Sequence, residues 1–161
     1  MKKEKLNIIY EDKHLIVVNK KPNLLTIADH NQQVNLYSQV YDYLKQKHKS
    51  NKVFIVHRLD KDTSGLMLVA KNEWTLEKLS LMISKKEVER KYLAIVDGLI
   101  KHDTGCIDAP IGRDQRNRQK MAVTDINGKE SITHFKVLER FQNNTLIECT
   151  LETGRTHQIR V

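Results

Sequence analysis

The sequence of 161 residues contains only two cysteines, two prolines and six glycines. Cys106 and Cys149 lie far apart and form no Cys-x-x-Cys motif, which argues against a disulfide framework and against a zinc site. The seven histidines form neither an HExxH motif nor an i, i+4 pair, so the spacing gives no support to metal catalysis. So little proline and glycine, together with several dense apolar runs, excludes low-complexity disorder.

Long hydrophobic runs are also absent. The longest apolar stretches, such as residues 15–18 and 66–70, are far shorter than the ~20 residues that a membrane-spanning helix needs. The first residues, MKK, lead into charged and polar residues and not into the apolar segment of a signal peptide. These absences predict a cytoplasmic protein that does not associate with a membrane.

Positive charge is in excess, with 28 lysines and arginines against 20 aspartates and glutamates, a formal charge of +8. Such a balance favours a polyanionic partner, and nucleic acid is the first candidate, although many basic proteins bind none. The length fits one domain that buries its core without disulfide or metal staples.

The first half of the chain mixes strand and helix patterns. Residues 34–48 have apolar positions spaced as on one face of an amphipathic helix. Residues 73–84 predict a second helix, with Asn72 as its candidate N-cap. Strands are predicted at residues 6–10, 14–19, 53–56 and 66–70.

From residue 88 onward the pattern changes to short strand-like runs that are separated by turn residues such as Asn127-Gly128. Residues 146–151 alternate apolar and polar side chains, which is typical of a half-buried strand. Because these strands follow one another without helices between them, we expect an α+β fold. It would have a mixed, mostly antiparallel sheet with flanking helices, in one domain over residues 1–161.

A polar segment, HRLDKDTSG at residues 57–65, lies between two predicted strands. Asp60 stands amid Arg58 and Lys61, and a carboxylate in such company stays ionised and can serve as a nucleophile or base. An ordinary charged turn, with its acids paired to nearby bases, explains the same residues equally well.

Two further segments carry functional side chains. Tyr92 heads a predicted strand, where it is either a core residue with a satisfied hydroxyl or a ring that stacks on a base or handles a proton. Residues 152–160, ETGRTHQIR, place Arg155 and Arg160 after a strand end, and guanidinium groups suit carboxylate or phosphate. A solvated loop with surface arginines is the alternative interpretation.

Taken in order, these segments resemble the RluA-type (RluA/RluD-like) family of RNA pseudouridine synthases, with residues 57–65 similar to its signature loop. The resemblance spans almost the whole chain and implies the pseudouridine synthase fold, without the S4-like RNA-binding module that some relatives carry. The matching blocks are residues 9–12, 16–22, 57–65, 91–94, 109–114 with Met121, Thr133 and 154–160.

The resemblance implies isomerisation of a specific uridine to pseudouridine in structured rRNA or tRNA, with no metal or cofactor. The family's aspartate falls on Asp60, which would attack the sugar or stabilise charge at C1′. Its arginine falls on Arg160, whose salt bridge would keep Asp60 ionised. Its tyrosine falls on Tyr92, which would stack on the target base.

The target nucleotide must leave its stack to reach a buried site, and Arg58 is a candidate to fill the gap. A basic segment after residue 112 contains only Asp114 as an acid, and we expect it to grip RNA phosphates. A solvated basic loop is the alternative. The candidate RNA-binding residues are His57, Arg58, Arg113, Arg116, Arg118, Lys120, Arg155 and His157.

The family continues beyond the motif with which this chain ends. The resemblance therefore implies that the C-terminal part of the catalytic domain is absent. A catalytically incomplete fragment and a non-catalytic RNA-binding module are the alternatives to an active enzyme. The presence of Asp60, Tyr92 and Arg160 argues against a degenerate site. We expect a monomer.

Overall fold

A computed structural model describes residues 6–28, 34–47 and 52–161, and the chain divides into two compact units, Met1–Lys85 and Lys86–Val161. The boundary lies close to residue 88, where the sequence pattern changes from mixed helix and strand to successive strands. A single catalytic domain over residues 1–161 stays a prediction. In the part of the chain that the structure describes, no helix is long and apolar enough to cross a membrane.

The first unit combines an antiparallel sheet with two helices. The elements are β1 Ile8–Glu11, β2 Leu15–Lys20, α1 Leu36–Lys47, β3 Phe54–Ile55, β4 Gly65–Ala70 and α2 Glu73–Ser84. The strands are ordered β1-β2-β4-β3 in the sheet. Asp12 forms the turn of the β1–β2 hairpin, because its Oδ1 accepts the backbone N–H groups of His14 at 2.7 Å and Leu15 at 2.8 Å.

Both helices begin where a side chain caps them. Asn72 accepts the Thr75 N–H at 2.8 Å and caps α2, whose bounds match the prediction. The first helix begins at Leu36, two residues later than predicted, because the Asn35 side chain accepts the Ser38 N–H at 2.9 Å. Its predicted end at His48 lies outside the described residues.

The core of the first unit follows the strand alternation. Ile16 and Val18 of β2 are buried, as are Met67 and Val69 of β4. The same inward face of β2 ends in Lys20, which is only 1% exposed. A lysine ammonium in this position must be hydrogen-bonded, because an unpaired buried charge is strongly unfavourable.

The second unit contains strands and no helix in its described part. The strands are β5 Lys91–Asp97, β6 Thr104–Asp108, β7 Ile111–Arg113, β8 Met121–Val123, β9 Ile132–Arg140 and β10 Asn144–Leu151. They form a sheet ordered β5-β10-β9-β6 and a separate β7–β8 pair. The core of this unit is built on Val137, Ile147 and Cys149.

The helices α1 and α2 and the antiparallel sheets confirm the α+β class. Every strand pairing among the described residues is antiparallel, so the parallel pairs that a mixed sheet would contain are not found there.

Glu11, the last residue of β1, is bonded to α1 and to the connection between β4 and α2. Its carboxylate accepts the Tyr43 hydroxyl at 2.8 Å and the ammonium groups of Lys47 at 2.8 Å and Lys71 at 2.6 Å. Burial on its own would raise the pKa of the Glu11 carboxyl, but these hydrogen bonds outweigh burial and lower the pKa from 4.5 to about 2.

We predict that Glu11 makes the first unit acid-sensitive. Because the folded pKa of about 2 lies below the unfolded value of 4.5, the stabilisation is complete above pH 4.5 and is lost as the pH falls toward 2. At ~1.4 kcal/mol per pKa unit, the stabilisation amounts to at most ~3.5 kcal/mol. Glu11→Gln should therefore lower the free energy of unfolding at pH 7. It should also make that free energy less dependent on pH as the pH falls from 4.5 toward 2. Urea unfolding followed by Trp74 fluorescence measures both effects.

The exposed Glu77 of α2 gives the matched control, since Glu77→Gln removes one carboxylate without touching this cluster. If Glu11→Gln and Glu77→Gln unfold with the same pH dependence, the role given to Glu11 is wrong.

Candidate active site

The segment HRLDKDTSG connects β3 to β4, and hydrogen bonds hold its backbone at several points. The Leu68 N–H of β4 donates to Nε2 of His57 at 3.1 Å, and the Thr63 N–H donates to the Asp60 carbonyl at 3.2 Å. Gly65, at the start of β4, has φ = 137°, a conformation that glycine adopts without strain. Asp60 itself is half-buried in this turn, and Arg58 is exposed.

Two buried side chains from earlier in the chain reach this connection. The Thr26 hydroxyl donates to the Leu59 carbonyl at 2.8 Å and accepts the Leu59 N–H at 3.3 Å. The Lys20 ammonium donates to the Lys61 carbonyl at 2.9 Å. The residues on either side of Asp60 are therefore each hydrogen-bonded to a buried side chain.

Burial and the neighbouring charges have opposite effects on the pKa of the Lys20 ammonium. Burial lowers the pKa of the Lys20 ammonium, while the negative charges of Asp62 and Asp60 raise it. Neither Lys20 nor Thr26 was singled out from the sequence. The signal for Lys20 was present, because strict alternation along β2 places it on the same face as Ile16 and Val18.

Tyr92 is the second residue of β5, in the second unit. Together with Ala94 and Val96 it packs against the cluster of Val137, Ile147 and Cys149. The opposite face of β5 is exposed at Leu93 and Ile95. The ring is therefore part of the core packing, as one interpretation of the sequence expected, and its stacking on a base stays a prediction.

The GRTHQIR segment follows β10 and is fixed by Gln158, which is 9% exposed. The Gln158 Oε1 accepts the Arg155 N–H at 2.8 Å and the Thr153 hydroxyl at 3.0 Å, while Nε2 donates to the Ile132 carbonyl at 3.1 Å and to Thr133 Oγ1 at 2.9 Å. One amide thus joins the segment to β9 with all four of its hydrogen-bonding positions in use.

The backbone of this segment has two special positions. A Cβ on Gly154 would lie 2.7 Å from Nη1 of Arg90, so any other residue at this position would require the guanidinium of Arg90 to shift. His157 adopts φ = 59°, in the left-handed region that few non-glycine residues occupy. Its carbonyl accepts the N–H groups of Arg160 at 2.7 Å and Val161 at 3.0 Å, which closes a turn.

The predicted site residues are distributed over both units. His57, Arg58 and Asp60 lie in the first, whereas Tyr92, Arg155, His157 and Arg160 lie in the second. Arg155 is half-buried and its Nε donates to the Glu130 carbonyl at 2.8 Å, so part of this guanidinium holds the fold. Arg160 is exposed. The salt bridge between Arg160 and Asp60 stays a prediction.

The predicted basic segment runs from Arg113, the last residue of β7, to Lys120, just before β8, and we call it the β7–β8 loop. Asp114 Oδ1 accepts the backbone N–H groups of Arg116 at 2.7 Å and Asn117 at 3.1 Å, and these bonds lower the pKa of its carboxyl. The only acid of the loop therefore orders the turn. The four basic side chains are exposed around it: Arg113, Arg116, Arg118 and Lys120.

Within residues 6–28, 34–47 and 52–161, no three His, Cys, Asp or Glu side chains come together as a potential metal site. The expectation of a reaction without metal or cofactor stays a prediction.

The fold matches two solved human structures, RNA pseudouridylate synthase domain containing 4 and domain containing 1. Each superposes with a TM-score of 0.79 at 26% sequence identity, and the matches cover 96% and 98% of this chain but 62% and 64% of those chains. The architecture is therefore that of a pseudouridylate synthase domain.

Residues 14–161 match the family of RNA pseudouridylate synthases, and the chain belongs to that family. It is 51% identical over 160 residues to the uncharacterized RNA pseudouridine synthase YlyB of Bacillus subtilis and 44% identical over 157 residues to ribosomal large subunit pseudouridine synthase D of Nitrosomonas europaea. These relatives confirm the RluA-type assignment. The alignments cover 97% of this chain but 52% and 45% of the relatives, so the chain spans about half their length.

We predict that Gln158 holds the GRTHQIR segment in place. Gln158→Ala would remove four hydrogen bonds and leave the Arg155 N–H without its acceptor, whereas the Ile132 carbonyl would keep the Glu152 N–H as a donor. The free energy of unfolding should therefore fall by ~2–4 kcal/mol. Urea unfolding followed by far-ultraviolet circular dichroism measures the loss. Gln142→Ala, at an exposed turn of the same unit, is the control. Equal stability of the two variants would contradict the role of Gln158.

Proposed function

We propose that this chain carries the catalytic aspartate of an RNA pseudouridine synthase, an isomerase that converts a specific uridine of structured RNA to pseudouridine. Support comes first from the family and from Asp60, which a set of hydrogen bonds holds in the β3–β4 connection. Several relatives are named as ribosomal large subunit enzymes, which favours rRNA over tRNA as the substrate. A cytoplasmic location and a monomeric state stay predictions.

The reaction requires an anionic carboxylate beside the ribose. The N1–C1′ bond of uridine breaks, the uracil rotates in place, and a C5–C1′ bond forms. The C5 proton leaves and N1 gains a proton, so the product is an isomer and no electrons are exchanged with a cofactor. Asp60 would attack the sugar or stabilise the positive charge at C1′.

Residues of the second unit would complete this chemistry. Arg160 would pair with Asp60 and keep it ionised. The Tyr92 ring would stack on the uracil after the nucleotide has been extruded from its helix, while Arg58 would support the displaced strand. His57, Arg155 and His157 would add contacts to the RNA. These roles come from the position of each residue within the family motifs.

Asp60→Asn should abolish pseudouridine formation at the target site, with a rate loss of at least ~100-fold. The measurement is pseudouridine mapping of RNA from cells that lack the gene and carry either the parent gene or a variant. Asp62→Asn is the matched control, because it neutralises an exposed carboxylate of the same loop. We expect the parent and Asp62→Asn to restore modification and Asp60→Asn to fail.

Wild-type modification by Asp60→Asn would show that the catalytic assignment is wrong. An RNA-binding module without catalysis, the alternative function, would leave the pseudouridine map unchanged when the gene is deleted.

We also propose that the β7–β8 loop binds RNA phosphates. Its four cations are exposed, and its one acid is turned into the loop backbone. Loss of the four charges of Arg113, Arg116, Arg118 and Lys120 should weaken RNA binding. It should also reduce the slope of log affinity against log salt concentration by ~0.7–0.9 per phosphate contact.

Filter binding or fluorescence anisotropy across a salt series measures both quantities. A control protein in which the exposed Lys13, Lys78, Lys101 and Lys136 become glutamine loses the same net charge. If the loop variant keeps the parent affinity and slope, or if both proteins lose them equally, the loop is a solvated basic turn.

A further inference from the structure

Asp60 is held from both sides by two buried side chains, Lys20 and Thr26, to which the resemblance assigns no role. Thr26 is 4% exposed, and its hydroxyl forms two hydrogen bonds with the backbone of Leu59. Lys20, which is 1% exposed, donates to the carbonyl of Lys61. Leu59 and Lys61 are the chain neighbours of Asp60, so the peptide groups that flank the carboxylate are fixed independently.

Lys20 and Thr26 belong to one short segment, residues 20–26, whose backbone is itself held by hydrogen bonds. The Lys20 ammonium also donates to the carbonyls of Lys21 at 3.0 Å and Leu24 at 2.7 Å, so its three N–H groups are all used. The carbonyls of Leu25 and Thr26 accept the Leu36 N–H at 2.8 Å and the Tyr37 N–H at 3.0 Å, where α1 begins. The segment is thus tied to the first turn of a helix on one side and to the Asp60 turn on the other.

We propose that Lys20 and Thr26 are positioning residues for Asp60, and we name this pair the Asp60 clamp. The proposal rests on the proposed function, because it gives the clamp the task of placing the carboxylate for attack or charge stabilisation at C1′. Reactions of this kind lose rate steeply when a reacting group is displaced by even ~1 Å.

The charge of Lys20 gives the clamp a second effect. An ammonium beneath the turn faces the negative charges of Asp60 and Asp62, whose attraction acts against the unfavourable burial of the lysine. A neutral side chain in the same place would keep the packing and lose both the three carbonyl contacts and this attraction. Variants that keep the packing but remove these contacts can therefore distinguish the clamp from ordinary core packing.

The test uses the full-length protein and three clamp variants: Thr26→Val, Thr26→Ser and Lys20→Met. Thr26→Val is nearly isosteric and removes only the hydroxyl, whereas Thr26→Ser keeps it. Thr75→Val is the matched control, because Thr75 is a buried threonine of the same unit whose hydroxyl donates to Asn72 at 2.8 Å. The substrate is an RNA fragment that carries the uridine found by pseudouridine mapping.

Two readouts are taken, amide hydrogen exchange at Leu59 and Thr63 and the separate values of kcat and KM. We expect Thr26→Val and Lys20→Met to speed exchange at these amides and to lower kcat by roughly 10- to 100-fold, with KM for RNA within about twofold of the parent. Thr26→Ser should restore both quantities. Thr75→Val should leave both unchanged while lowering the stability of the fold.

The clamp is overturned if Thr26→Val keeps the parent kcat, or if it loses no more kcat than Thr75→Val. In either case an inactive Asp60→Asn would leave the proposed function standing. An active Asp60→Asn would overturn the proposed function and the clamp together. Should Lys20→Met fail to fold, Thr26→Val and its serine counterpart decide the question.

Discussion

The buried ammonium of Lys20 is the constraint on which the Asp60 turn depends. A charge removed from water is tolerated only when its hydrogen bonds are complete, and here three backbone carbonyls complete them. A shift of the turn would take the Lys61 carbonyl away from the ammonium. The position of the turn and the burial of the lysine thus depend on each other, and both depend on the register of β2, because a slip by one residue would turn Lys20 away from the core.

The second unit fixes its motif by the same physical means without a charge. Gln158 is buried, uses its full hydrogen-bonding capacity, and joins the GRTHQIR backbone to β9. In both units one polar side chain orders the backbone of a motif, which leaves the charged side chains of that motif nearer the surface. Arg160 is exposed and Asp60 is half-buried, so both side chains are accessible enough for the RNA contact that the proposed function requires.

Local signals in the sequence predicted the elements better than their connections. The bounds of α2 were predictable because an N-cap and an apolar stripe both lie within the helix, whereas the start of α1 was missed because the Asn35–Ser38 pair was not recognised. The charged segment alone made Asp60 a candidate nucleophile or base, but only the resemblance favoured that role over an ordinary charged turn. The clamp could not be predicted, because its hydrogen bonds join residues that lie 33 and 41 positions apart.

Tyr92 shows why a core role and a site role need not compete. A ring that stacks on a base must hold its orientation, and a side chain at the head of a strand has little to hold it apart from its neighbours in the sheet. Here one part of the ring packs against Val137, Ile147 and Cys149, and the residue remains only half-buried. Core packing would make such a ring rigid enough to meet a planar substrate, so the observed core role of Tyr92 is compatible with the stacking role that we predict for it.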